Sequence, residues 1–509
     1  MRKLAPAVVL LSACMDPGHI SESGQPSDRD SQTVVDTATE RGEPLADVDV
    51  LIIGSGPAGL AAAWEARNAG ASVVVLERAS AAGGSGLYAG QFFAVDTDLQ
   101  ASNLIDDSVA QALEEWPNFT HGGLAEDPWV IRLIEESADT LEWIESFGTQ
   151  FDILGVDPGA GGLARMHAYS AGQPHPFEPI IADVADLIWL DTQADSLIRD
   201  DGAVIGVDVT VLDSPSQGWI RADATIVATG GFARDLDRVR EDREELAQVP
   251  LVVEASMTSS ARGLDLLEAA DVDIQNRGRH GVYLHSIADP REGYVDEALW
   301  IPWLLRSIVV DSTGARVANE DLARGFEFVE LMLSHPGQQL YVISSPPIAQ
   351  EGLFVPAYLW LSPQQSVILS LDEGLDIGAV TQMDTAVELA ASLGIDPEGL
   401  SAAIQRYSEF AGAGLDEDFF KEASLLYDLG PGPYVGAPLI AGSAKSFVGA
   451  RVDQETRVLD TSGQIIPGLY AAGEASGFLG SEAIGKGFSG SVTACYLMGR
   501  AAGRASVER

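Results

Sequence analysis

Three glycines in six residues, Gly54-Ser55-Gly56-Pro57-Ala58-Gly59, separate an apolar run, Asp47 to Ile53, from a helix-like segment, Leu60 to Asn68. A second apolar run, Ser72 to Leu76, ends at Glu77. The chemistry this pattern can do is dinucleotide recognition. The first glycine permits a tight turn, the second lets the backbone approach a pyrophosphate, and the third lets helix and strand pack closely. Free N–H groups and the dipole at a helix N-terminus attract the phosphates. Glu77 can accept hydrogen bonds from ribose hydroxyls, and an acid there disfavours a 2′-phosphate. Three glycines alone are a weak signal; here they have the strand–helix–strand setting and the acid that the fingerprint requires.

Three further segments favour FAD over a nicotinamide cofactor. Gly83-Gly84-Ser85-Gly86 offers a second glycine turn to the pyrophosphate and ribityl chain. Ala222 to Phe232 reads as a strand running into Thr229-Gly230-Gly231. Gly468 to Gly480 reads as a strand ending at an acid, Glu474, placed for ribityl hydroxyls. Ser491 and Val492 then open the last helix, whose N–H groups would face the electron-rich edge of the flavin. Arg78, Ala89, Gly90 and Ala194 complete the predicted cofactor contacts.

These motifs, with Gly314 to Glu320 (GARVANE), resemble the FAD-dependent oxidoreductase 2 family. That superfamily holds fumarate reductase/succinate dehydrogenase flavoproteins and 3-ketosteroid dehydrogenases. The match spans about residues 47–509. It implies an α/β fold: a Rossmann-like FAD-binding domain with an inserted α+β capping domain. It further implies hydride transfer between flavin and an activated C–C or C=C bond, with a side-chain acid protonating the adjacent carbon. Ser85 to Ala89 contains no His, so the His-linked flavin of respiratory members is not expected and the FAD is non-covalent.

The family's working residues carry over in part. Asn319-Glu320-Asp321-Leu322-Ala323-Arg324 reproduces the N-E-x-x-x-R spacing, which makes Arg324 the candidate proton donor. Leu284-His285-Ser286 aligns with a His-Pro-Thr motif, making His285 a candidate contact for a carboxylate or other polar group. Lys445 lies where the family has a His, and Lys486 near a position held by a carboxylate-binding Arg. A Lys binds an anion as a point charge, without the bidentate fork of Arg. Trp300-Ile301-Pro302-Trp303 occupies the proton-relay segment; the two tryptophans suit either a substrate wall or core packing. Phe488, without a hydroxyl, stands where steroid dehydrogenases use Tyr. The expected substrate is therefore a small enoyl compound less charged than a C4-dicarboxylate. The alternatives are a flavin oxidase or dehydrogenase acting on a steroid, alcohol or amine, and a non-catalytic FAD-binding lipoprotein.

The elements that must position these residues form two domains. FAD-binding segments are expected at 47–277 and 443–509, with the cap at 278–442 and the active site between them. No metal site is expected, since the only cysteines among the 509 residues are Cys14 and Cys495. Thirty Lys and Arg against 76 Asp and Glu give a net charge of −46, which repels nucleic acid.

Residues 1–14, MRKLAPAVVLLSAC, read as a lipoprotein signal peptide with Cys14 as the lipidated residue. Residues 15–46 read as a disordered linker. The protein is thus expected to be exported and to meet the membrane only through Cys14. No second dinucleotide fingerprint and no haem motif are present. Electrons must then come from an external carrier such as a quinol, a cytochrome or a flavoprotein.

Overall fold

The computed structural model describes residues 41–508 except 90, 120–126, 154–164, 170–176, 213, 215, 295, 321–326, 356–366 and 478–489. Arg324, Lys486, Gly90 and the signal segment with Cys14 lie outside the described residues.

The architecture is α/β. Its main sheet is built on a parallel run of strands. Ala46–Ile53 pairs in parallel with Val73–Leu76 on one side and with Ser216–Val227 on the other. Ser216–Val227 in turn pairs in parallel with Ile465–Ala471. The apolar run Val50–Ile53 in the second half of the first strand follows from burial on both faces. Val50 and Ile52 enter one core, and Leu51 and Ile53 enter the other.

The helix Pro57–Asn68 follows the first strand and packs along the final helix, Ser491–Ala505. Small residues let the two backbones approach. A Cβ on Gly499 would lie 2.2 Å from the Ala58 carbonyl oxygen, and one on Gly503 would lie 2.5 Å from that of Ala62. This contact sets the N-terminus of the last helix beside the glycine turn of the first.

A six-stranded sheet lies beyond. Its order runs through Leu251–Val253, Ile440–Ser446, His280–Ala288, Ala298–Trp300, Leu353–Val355 and Val367–Leu369. It takes strands from both sides of positions 277/278, and Ile440–Ser446 runs through 442/443, so the expected domain borders fall inside a hydrogen-bonded sheet. Backbone pairing couples the substrate-side strands to the FAD-side segments there. A four-stranded antiparallel sheet with helices Ala386–Leu393 and Pro397–Ala413 completes the cap side.

Residues 41–45, assigned to the linker on composition, are tied down. Trp219 Nε1 donates to the Gly42 carbonyl at 2.7 Å, Leu45 N donates to the Trp219 carbonyl at 2.8 Å, and Arg41 pairs with Asp208. Polar composition misleads here because these residues prolong the first strand alongside Ser216–Val227, which supplies the partners of Gly42 and Leu45.

Candidate active site

One cavity of about 600 Å³ runs from the glycine turn to the six-stranded sheet. At its first end the fingerprint residues divide their labour as the spacing predicts. Gly54 has φ of +104°, and a Cβ there would lie 2.5 Å from the Ala228 carbonyl oxygen. A Cβ on Gly59 would lie 1.9 Å from the Gly54 oxygen, so only glycine lets helix and turn close. A Cβ on Gly56, by contrast, meets nothing within 4 Å. That space faces the cavity, where a pyrophosphate needs to approach.

Glu77 Oε2 accepts from Ser55 N at 3.0 Å and Ser55 Oγ at 2.6 Å, and its Oε1 accepts from Ala79 N at 2.8 Å. A carboxylate has about four lone-pair sites, so one remains for a ribose hydroxyl. The second glycine turn is tied to the first, Gly83 N donating to the Ser55 carbonyl at 3.0 Å.

The middle of the cavity is lined by Thr229, Gly230, Gly231, Glu474, Ser491 and Val492. Gly231 N donates to Glu474 Oε2 at 3.0 Å, and Phe232 N donates to Ser446 Oγ at 2.7 Å. Burial pushes the Glu474 carboxyl above the ordinary range, with Lys445 and the Gly231 N–H pulling the other way. Lys445 Nζ donates to Ser491 Oγ at 3.2 Å. Thr229 Oγ1 is buried and has no hydrogen-bond partner. An orphaned hydroxyl, an open Gly56 cradle and a helix N-terminus fit a bound dinucleotide.

The far end is aromatic. In the strand His280–Ala288, alternation turns Tyr283 and His285 toward the cavity while Val282, Leu284 and Ser286 are buried. The rings of Tyr283 and His285 stack at 5.3 Å, and Trp300 meets His285 edge-on at 5.5 Å. Trp300 also stacks on Phe354 at 6.0 Å. Trp303 has gone elsewhere: it is fully buried and its Nε1 donates to the Gly352 carbonyl at 3.0 Å. The wall and core alternatives thus divide between the two tryptophans.

The structure brings together nearly all the predicted contacts. Gly54, Ser55, Gly56, Pro57, Ala58, Glu77, Arg78, Gly84, Ser85, Ala89 and Ala194 line the cavity with the residues above, as do His285 and Lys445. Gly59 and Gly83 stand behind it as packing and turn positions. Two further residues of the wall carry no motif in the sequence. Tyr88 hydrogen-bonds Ser256, and its phenol is pushed up mainly by burial. Glu254 comes within 3.1 Å of His285 Nε2.

A buried ionic network holds Arg316 and Glu320, the described stretch that precedes Arg324 in sequence. Arg316 grips Glu320 at 2.8 and 2.7 Å and reaches Asp416 at 2.8 Å. Lys421 Nζ lies 3.1 Å from Glu320 Oε2 and donates to Tyr407 Oη at 3.0 Å. Burial lowers the Lys421 pKa despite these carboxylates.

A family model described as "FAD binding domain" matches residues 49–487. A vinyl phenol reductase of Lactiplantibacillus plantarum is 27% identical over 483 residues, covering 90% of this chain and 96% of that protein. A protein named fumarate reductase (cytochrome), from Shewanella frigidimarina, is 26% identical over 467 residues, covering 88% of this chain and 77% of that one. The open conformation of a flavocytochrome c3 fumarate reductase superposes with a TM-score of 0.70 at 22% identity, over 91% of this chain and 79% of the other. At that identity the likeness concerns the fold.

Proposed function

Since the chain belongs to the FAD binding domain family, we propose that it is an FAD-dependent reductase of an activated C=C bond in a small, planar, weakly charged substrate. The observation that carries this is the single cavity joining the glycine turns to the wall of Tyr283, His285 and Trp300. Full-length similarity to a vinyl phenol reductase supports an aryl-substituted alkene over a dicarboxylate.

Bound FAD supplies the hydride exchange. Gly54 to Gly59, Glu77 and the Gly83-Gly84 turn would hold its adenosine and pyrophosphate. Thr229 to Gly231, Glu474 and the N-terminus at Ser491 would hold the remainder. The protein's own part is to clamp a flat substrate against the aromatic wall, keep water from it, and deliver one proton. Tyr283 and Trp300 offer flat, apolar faces, and offset or edge-on ring contacts contribute about 0.5–1.5 kcal/mol each.

Arg324 remains the proposed proton donor. The buried Arg316–Glu320–Lys421 network would fix the chain from which its segment departs. Lys445 and Lys486 would polarise or hold polar substrate groups. Export with a lipid anchor at Cys14 belongs to the same reading; it would bring quinols, cytochromes or flavoproteins within reach as electron donors.

The test is anaerobic reduction of the flavin, followed by addition of aryl alkenes, acrylate, urocanate, fumarate and steroid enones. Reoxidation by an aryl alkene, lost on Arg324→Ala, is expected. Reoxidation by oxygen alone would replace this reading with an oxidase. A flavin that no donor reduces would point to a non-catalytic role.

A further inference from the structure

The carboxylate behind His285 has a site built for it. Glu254 has a side chain only 1% exposed, whereas that of His285 is 27% exposed on the cavity wall. Ser286 Oγ donates to Glu254 Oε1, and Glu254 Oε2 lies 3.1 Å from His285 Nε2. Room for the carboxylate comes from a glycine: a Cβ on Gly442 would lie 2.0 Å from Glu254 Oε1. Glu254 N donates to the Ser443 carbonyl at 2.8 Å, which ties its backbone to the same strand.

This arrangement changes what His285 can bind. A lone imidazolium would attract a substrate carboxylate. Beside Glu254 the pair carries a charge of zero or minus one, whether or not the ring holds a second proton. A carboxylate gains little there. Lys445 also lines the cavity, where it donates to Ser491 Oγ at 3.2 Å and its charge acts on Glu474. Arg78 and Arg262 also line the cavity.

A neighbouring carboxylate also decides the tautomer, drawing the ring proton to the nitrogen that faces it. With Nε2 as the donor nitrogen toward Glu254, Nδ1 would keep its lone pair as an acceptor. The ring is stacked on Tyr283 and flanked by Trp300.

We infer that His285, positioned by Glu254, is the receptor for a hydroxyl donor on an aromatic alkene, so that this residue favours hydroxyaryl substrates. His285 is the binding residue and Glu254 a positioning residue. The inference rests on the reading of the protein as a C=C reductase. An acceptor that the bound ring covers, left unpaired by a substrate without the donor, discriminates against that substrate.

The experiment compares 4-vinylphenol with its methyl ether, which keeps the ring and the alkene but lacks the O–H. Two quantities are read on the holoenzyme: kcat/KM, and Kd from perturbation of the oxidised flavin spectrum. The wild type is expected to favour the phenol by about 10- to 100-fold in both, the range of one hydrogen bond at a desolvated site. His285→Phe keeps the stacking and should bring the ratio to about one. Glu254→Gln keeps the volume but frees the tautomer, and should cut the ratio about tenfold at unchanged flavin content.

Should Glu254→Gln fail to fold, His285→Phe decides alone. Equal turnover of both alkenes by the wild type, or a ratio untouched by His285→Phe, overturns the inference and leaves the reductase standing. If neither they nor any alkene in the wider panel is reduced, the reductase reading falls and the inference with it.

Discussion

At one end of the cavity, recognition is made from backbone: Gly54, Gly56 and Gly59 shape a turn, Gly83 donates onto it, and helix N-termini point inward. At the other end it is made from side chains: Tyr283 and His285 on one strand, Trp300 on the next, Glu254 and Lys445 on flanking segments. The first end is contiguous in sequence, with nearly every part falling between positions 53 and 89. The second is assembled by strand pairing across nearly two hundred residues. A dinucleotide presents the same phosphates everywhere, so its cradle is fixed by conformational need. A substrate wall needs only the pairing of its strands, and its side chains are free to set a new specificity.

The contrast breaks most visibly at two glycines. Gly59→Val places atoms within the Gly54 carbonyl, so the turn must move; overpacking of 1–3 kcal/mol and more is the usual cost. FAD binding should weaken on the order of a hundredfold, with a lower melting temperature even without flavin. Gly56→Ala meets no protein atom within 4 Å and should melt like the wild type when stripped of flavin. It should nevertheless lose FAD, because the added methyl fills the pyrophosphate's approach. Flavin absorbance per protein and thermal unfolding separate the two. Wild-type flavin content in Gly56→Ala would remove this loop from the cofactor site.

Trp300→Ala tests the other end alone. The stack with Phe354 and the edge contact with His285 are lost, and kcat/KM for an aryl alkene should fall about tenfold. Turnover of acrylate, too small to span the wall, should change less, and flavin content should hold. An equal fall for both substrates would make Trp300 a packing residue like Trp303.

How much of this was legible follows from the same contrast. The turn at Gly54, the acid at Glu77 and the helix at Ser491 could be read because each obeys a local rule of spacing. Glu254 and Tyr88 could not. Glu254 gains its meaning from Gly442 and Ser286, and Tyr88 from Ser256; sheet pairing and folding bring these together. Trp300 and Trp303 share a motif and differ only because one sits at the sheet's cavity face. The six-stranded sheet likewise obscured the domain borders, since Leu251–Val253 precedes the expected cap but pairs with Ile440–Ser446.

Glu474 marks where the two ends meet, and it supplies the smallest expected effect. Its carboxyl is raised by burial, and the Lys445 ammonium and the Gly231 N–H at 3.0 Å only partly offset this. The sign follows from proton counting. An acid with a raised folded pKa binds more protons folded than unfolded once pH passes the ordinary carboxylate range, so stability falls as pH rises through the folded pKa. Below that range both states are protonated and nothing is lost. Glu474→Gln removes the titration while its amide oxygen still accepts from Gly231. In flavin-free protein, the variant's melting temperature should match the wild type in acid and exceed it by a few degrees near neutrality. Parallel profiles would mean that Glu474 is already compensated without the cofactor. Its buried charge would then belong to the scaffold of the Gly230–Gly231 turn and not to the binding of FAD.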